Sequence, residues 1–68
     1  MARNYKRDWE ELPKFAQSFK GEKAIDCIEA YAEKRRIVLH RAAKAFWDLV
    51  DCGEIETAEK SDGYEYII

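Results

Sequence analysis

Residues 22–52 run without a single glycine or proline, and this uninterrupted stretch constrains the fold more than any other feature. Apolar side chains recur through it at three- and four-residue spacing (Ile28, Tyr31, Leu39, Ala42, Phe46, Leu49), the period of a helix with one buried face. Two readings fit. A single helix would be roughly 45 Å long and would outreach a 68-residue chain, so it would need a partner chain beside it. Two helices, 22–35 and 38–52, fit better. Arg35 interrupts the apolar phase, and one continuous helix would put Ile37 on the polar face with Arg41 and Lys44.

The second of these helices meets a natural stop at Gly53, after which the period becomes extended. The segment EIETAEKSDGYEYII contains Asp62-Gly63, a hairpin-turn signal. As a two-residue turn it predicts that Lys60 opposes Glu65, Glu59 opposes Tyr66 and Ala58 opposes Ile67, a register favoured by the Lys60–Glu65 charge pair. Upstream, Asp8 with Glu11 three residues on resembles a capping box. Pro13 conflicts with a helix that begins at Asp8, so the spacing predicts a turn over 8–12 and a helix opening at Pro13 and ending at Gly21. The preceding residues 1–7 are polar and basic and read as a flexible arm. The buried faces are expected to hold Trp9, Leu12, Phe15, Ala16 and Phe19; then Ala24, Ile25, Ile28, Tyr31 and Ala32; then Leu39, Ala42, Ala43, Phe46, Leu49 and Val50, with Trp47 on the flank. Five aromatics (Trp9, Phe15, Phe19, Phe46, Trp47) are assigned to burial rather than to a ligand cage. The hairpin's Tyr64, Tyr66, Ile67 and Ile68 are expected to be covered by the helices.

One domain, 1–68, is the only count the length allows. A chain this small buries a modest core, and dimerisation would enlarge it. Its charge is distributed unevenly. Residues 1–20 carry five basic and three acidic groups, whereas residues 53–68 carry one lysine and five acids. One end can face an anion and the other cannot. Two unpaired-looking thiols and the lack of an apolar run behind MARNYKR predict a cytoplasmic chain with no membrane span. Cys27 and Cys52 lie 25 positions apart with no paired spacing, so no metal site is expected, and both read as small buried apolar groups. No nucleophile–base arrangement and no phosphate-cradling loop emerge, so neither an enzyme nor a bound cofactor is expected.

Three helices followed by Gly53-Glu54-Ile55 and a hairpin resemble the winged helix-turn-helix family, most closely in IEAYAEKRRIVLHRAAKAFWDLVDCGEIE, residues 28–56. The resemblance implies an α+β fold: a three-helix winged helix-turn-helix with a C-terminal two-stranded β-hairpin, residues 54–68, as the wing. The small strand that often follows the first helix in that family has no candidate here. The resemblance also implies duplex DNA as partner and a role in transcription regulation, with the N-terminal half of the third helix in the major groove. His40, Arg41 and Lys44 would face the groove. Lys34, Arg35 and Arg36 would hold phosphates, and Arg3, Lys6 and Arg7 of the arm would reach an adjacent groove or the backbone. Five hairpin carboxylates would repel phosphate, leaving Lys60 as its one possible contact. The DNA-binding reading expects a homodimer; the other reading is a protein-interaction module, an adaptor, antitoxin-like protein or complex subunit, that docks a basic or apolar partner through this acidic hairpin or the Asp48/Asp51 side of the third helix.

Overall fold

A computed structural model describes the chain from residue 2, with side chains from residue 6, through Ile68. Its elements are α1 (Ala2–Gln17), α2 (Ala24–Arg35), α3 (Leu39–Asp51), β1 (Thr57–Glu59) and β2 (Glu65–Ile67). This is an α+β arrangement of three helices followed by an antiparallel hairpin. Residues 22–52 therefore form two helices. No helix among the described residues is long and apolar enough to cross a membrane.

The break between α2 and α3 is made by Arg36, which adopts a left-handed conformation at φ 55°. Its N–H bonds the Glu33 carbonyl at 3.2 Å, and the Ile37 N–H reaches back to Ala32 at 3.0 Å. These two bonds form a Schellman motif that satisfies the last carbonyls of α2. Gly53, at φ 86°, ends α3 in the same way, through Gly53 N–H to Val50 O at 3.1 Å and Glu54 N–H to Leu49 O at 2.9 Å.

The N-terminal expectations need correction. Residues 2–7 are the first turns of α1 and not a flexible arm. Asp8 does not cap a helix, and Pro13 does not open one; both lie inside α1. Pro13 removes the bond that would reach the Trp9 carbonyl. Trp9 is 40% exposed, on the side of α1 where water can meet that carbonyl instead. The buried stripe of α1 is Asp8, Leu12 and Ala16, with Phe15 and Phe19 beside it. A carboxylate thus occupies the position that an apolar residue was expected to fill, and Trp9 lies outside the core.

The core joins these residues to Cys27, Ile28 and Tyr31 of α2, to Ala42, Ala45, Phe46 and Leu49 of α3, and to Ile55 and Ile67. Ile25, Leu39, Trp47, Tyr64 and Ile68, all expected to be covered, are exposed. Cys27 is buried, and burial pushes its thiol up to about 11, but Cys52 is exposed.

The hairpin register also differs from expectation. Glu59 pairs with Glu65, Ala58 with Tyr66 and Thr57 with Ile67. A two-residue type I′ turn needs positive φ at both central residues, but among the described residues Arg36 is the one non-glycine with positive φ. Asp62 instead joins a three-residue loop, Ser61 to Gly63, closed by Gly63 N–H to Lys60 O at 2.9 Å and Lys60 N–H to Tyr64 O at 3.0 Å. Gly63 supplies the left-handed residue of this loop. The Asp62 carboxylate accepts the Tyr64 N–H at 3.0 Å and the Tyr66 hydroxyl.

Among the described residues no strand directly follows α1, but the connection to α2 bridges to the hairpin. Gly21 N–H donates to Ile67 O at 2.7 Å, Ile67 N–H donates to Glu22 O at 2.9 Å, and Lys23 bridges to Tyr66. The segment 21–23 therefore lies along β2 opposite β1 and fixes the hairpin to the helices.

The contrast between Arg36 and Gly53 yields a stability prediction. A side chain in the left-handed region costs about 1–2 kcal/mol, partly offset by the lower unfolded-state entropy of a non-glycine. Arg36→Gly is expected to raise the urea midpoint by the equivalent of about 0.5–1 kcal/mol with an unchanged slope. A lower midpoint would mean that the Arg36 side chain stabilises the turn.

Candidate nucleic-acid interface

Asp8 is fully buried and organises the three helices. Its Oδ1 accepts the Tyr31 hydroxyl at 2.8 Å and a short bond from Arg35 Nη1. Arg41 Nη2 lies 3.4 Å from its Oδ2. Arg35 also donates to the Tyr31 oxygen at 2.9 Å. One carboxylate of α1 is thereby tied to the middle and end of α2 and to the first turn of α3. Burial, followed by the bond to Asp8, pushes the Tyr31 hydroxyl up to about 12.

This network takes two of the expected DNA contacts inward. The Arg35 side chain is 12% exposed and that of Arg41 26% exposed, and both guanidinium groups are aimed at Asp8. The other expected residues lie on the surface. Lys34 and Arg36 are exposed at the end of α2, with Lys34 Nζ 5.2 Å from the centre of the Phe15 ring. His40 and Lys44 are exposed on α3, and Lys44 Nζ is 3.2 Å from Asp48 Oδ2. Lys6 and Arg7 are exposed on α1. Arg7 pairs with Glu11 one turn on at 2.8 Å, which holds the Glu11 carboxyl below its usual range. The side chain of Arg3 lies outside the described residues.

Helical spacing sets His40, Lys44, Trp47 and Asp51 along the outward face of α3, opposite buried Ala42, Ala45, Phe46 and Leu49. Trp47 packs one edge against Phe46, with ring centroids 4.9 Å apart, and leaves the rest of its ring to solvent. The start of α3 carries no acidic residue in its first turn, and its exposed Val38 and Leu39 lie between Arg36 and His40. The outward face thus runs from basic and apolar at its beginning to acidic at its end.

Asp8 and Trp47 are two residues near the site whose placement differs from the sequence reading. Asp8 had a usable signal, since it lies four, seven, eight and eleven positions before Leu12, Phe15, Ala16 and Phe19 and so shares their helical face. Trp47 sits at the boundary of the α3 stripe, where periodicity does not decide between inside and outside.

A groove of about 350 Å³ lies between the C-terminal half of α1 and the chain after Gly53. Its polar lining is Gln17, Lys20, Glu54 and Glu56, without histidine, cysteine, serine or threonine. Among the described residues no three histidine, cysteine, aspartate or glutamate side chains converge as a metal would require. No family model, curated protein or solved structure matches this chain.

Two predictions follow from the Asp8 network. Removing one member of a buried ion pair costs about 3–5 kcal/mol when the partner stays desolvated. Here both arginines can reach water, so Asp8→Ala should cost about 2–3 kcal/mol by chemical denaturation, several-fold more than Glu11→Ala at the exposed pair. Equal losses would show that Asp8 is not the tie between the helices. The second concerns alkali. The folded state keeps the Tyr31 proton up to about 12, while an unfolded tyrosine releases it near 10. Between these values the folded state binds more protons, so stability present below pH 10 falls as pH rises. Urea midpoints measured between these pH values should show this loss in wild type, and Tyr31→Phe should make it smaller.

Proposed function

We propose that this chain is a small winged-helix-like protein that binds duplex DNA, in transcription control or a related DNA-handling role. The observation that carries this reading is Arg36. Among the described residues it is the one non-glycine with positive φ, and it is an exposed arginine at the turn before α3. The left-handed turn itself closes α2, a place where glycine is usual, so an arginine there carries a conformational cost that an outside contact would offset.

Arg36 and Lys34 would hold phosphates on one side of the groove. His40 and Lys44 would face base edges from the first turns of α3, and Val38 and Leu39 offer apolar contact to thymine methyl groups. Arg35 and Arg41 act as positioning residues that brace the turn from inside through Asp8. The bridge from Lys23 to β2 lies between the first two helices, where that family often has a short strand. The acidic hairpin stays clear of the phosphates.

A second reading is favoured by exposed apolar groups. Val38, Leu39 and Trp47 all lie on or beside the outward face of α3, and the same face would suit a protein partner in an interaction module.

A salt series with duplex DNA separates the two. Two phosphate contacts, from Arg36 and Lys34, should give a log–log slope of about −2. Arg36→Glu and Lys44→Glu should each weaken binding at low salt, while Lys20→Glu, beside Gly53 at the other end of α3, should change it little. Absence of binding at low salt would leave the protein-interaction reading standing.

A further inference from the structure

We propose that the outer edge of β1 pairs with β1 of a second copy of this chain, antiparallel about Ala58, to form a two-fold dimer. This surface is separate from α3 and does not depend on what α3 binds.

The hairpin leaves one edge open. β2 is paired on both sides, with β1 and with the segment 21–23. β1 has β2 on one side, and among the described residues no segment pairs along the other. Hydrogen-bonded and non-bonded pairs alternate in an antiparallel ladder. Lys60 N–H bonds Tyr64 O at 3.0 Å and Ile68 N–H bonds Glu56 O at 3.0 Å, so the backbone groups of Glu56, Ala58 and Lys60 point toward β2. Those of Thr57 and Glu59 point away, toward the open edge.

Two outward residues flanking Ala58 define the register. Thr57 of each copy meets Glu59 of the other, which forms four backbone hydrogen bonds. Ala58 faces Ala58 across the two-fold axis, where the close approach of a non-bonded pair suits a small side chain. The same register brings Glu56 opposite Lys60 of the second copy, and Lys60 opposite its Glu56, on the outer face of the joined sheet. Opposite charges directly across strands attract. Other registers lose this match. Sliding the second copy two residues toward its loop places Glu59 against Glu59 and Glu56 against Asp62. Sliding it the other way sets Glu59 against Ile55, which is buried within its own chain. Glu59 lies on the helix side of the sheet yet is exposed, so the helices do not extend beneath this edge.

Sedimentation equilibrium of the full chain from micromolar to millimolar concentration tests the proposal. The wild type should dimerise reversibly, and the Thr57 and Glu59 amide protons should exchange more slowly as the dimer fills. Glu56→Lys and Lys60→Glu each replace two attractive pairs with two repulsive ones, so each should weaken the dimer by roughly tenfold or more. The double variant Glu56→Lys/Lys60→Glu should recover it. Lys60 also lies 4.3 Å from the centre of the Tyr66 ring, a contact that the double variant does not restore, so recovery would not arise from hairpin stability. Thermal unfolding of each variant verifies that the monomer is intact. A wild-type chain that stays monomeric throughout, which would leave the edge to a strand of another protein, overturns the proposal. So does a dimer that the single reversals leave unchanged or that the double reversal fails to rescue.

Discussion

The rest of the structure depends on a single buried carboxylate. Asp8 has no solvent contact, and a charge in that position must be met by donors or protonated. Three side chains meet it, from the middle of α2, the end of α2 and the first turn of α3. Replacing such an ionic cluster with apolar groups of the same volume is often neutral or stabilising, so its value lies less in net stability than in what it fixes. Arg35 and Arg41 bracket the turn at residues 36–38. With both aimed at Asp8, the turn is held from either side, and α1 is set in one rotation about its axis. A core of alanines and a few large side chains would specify that rotation less sharply.

The same network sorts the positive charge. Guanidinium groups at 35 and 41 are spent on the interior, while Lys34, Arg36, His40 and Lys44 remain outside. The basic face is therefore narrower than the sequence cluster suggests, and it lies at the beginning of α3. At the other end the hairpin's two neighbouring lysines sit over tyrosine rings, Lys23 3.9 Å from the centre of Tyr64 and Lys60 4.3 Å from that of Tyr66. These contacts leave the carboxylates to dominate the hairpin surface. On the proposed reading, a duplex approaching the start of α3 would meet cations and apolar groups there, and would meet repulsion if it swung toward the hairpin.

Much of this fold was legible in the sequence, for reasons that also explain the failures. The two helices of residues 22–52, the stop at Gly53 and the existence of the hairpin follow from periodicity and turn chemistry, which are local. The misread features are settled by tertiary partners. Asp8 and Glu11 match a capping box, but the carboxylate is worth more to Tyr31 and two arginines than to a helix end. Pro13 costs one hydrogen bond, which α1 tolerates because its other face is packed. Asp62-Gly63 suits a two-residue turn, yet Asp62 keeps negative φ and bonds Tyr64 and Tyr66, and the whole ladder shifts by one residue. The bridge from Lys23 to Tyr66 has no apolar alternation to announce it; it forms along the edge of β2 that β1 leaves open. Among the expected contact residues, exposure was foreseen correctly for Lys34, Arg36, His40 and Lys44. For Arg35 and Arg41 charge alone could not reveal a buried partner more than twenty-five residues away.

Two helix ends in this chain solve the same geometric problem with different residues, and the comparison bears directly on function. After both α2 and α3 the chain turns through a left-handed residue and closes the same pair of hydrogen bonds. After α3 that residue is Gly53, for which the conformation carries no steric cost. After α2 it is Arg36. A Cβ at Gly53 would meet nothing within 4 Å, so the difference lies in the backbone. Gly53 turns at φ 86°, which glycine adopts freely, whereas Arg36 at φ 55° sits inside the small left-handed region that a side chain can enter at a cost. The left-handed backbone at Arg36 closes α2 through two hydrogen bonds, while its exposed side chain makes no ion pair or hydrogen bond within the described chain. On the proposed DNA-binding reading, this exposed charge, on a turn that Asp8 braces from beneath, is the contact a phosphate would use.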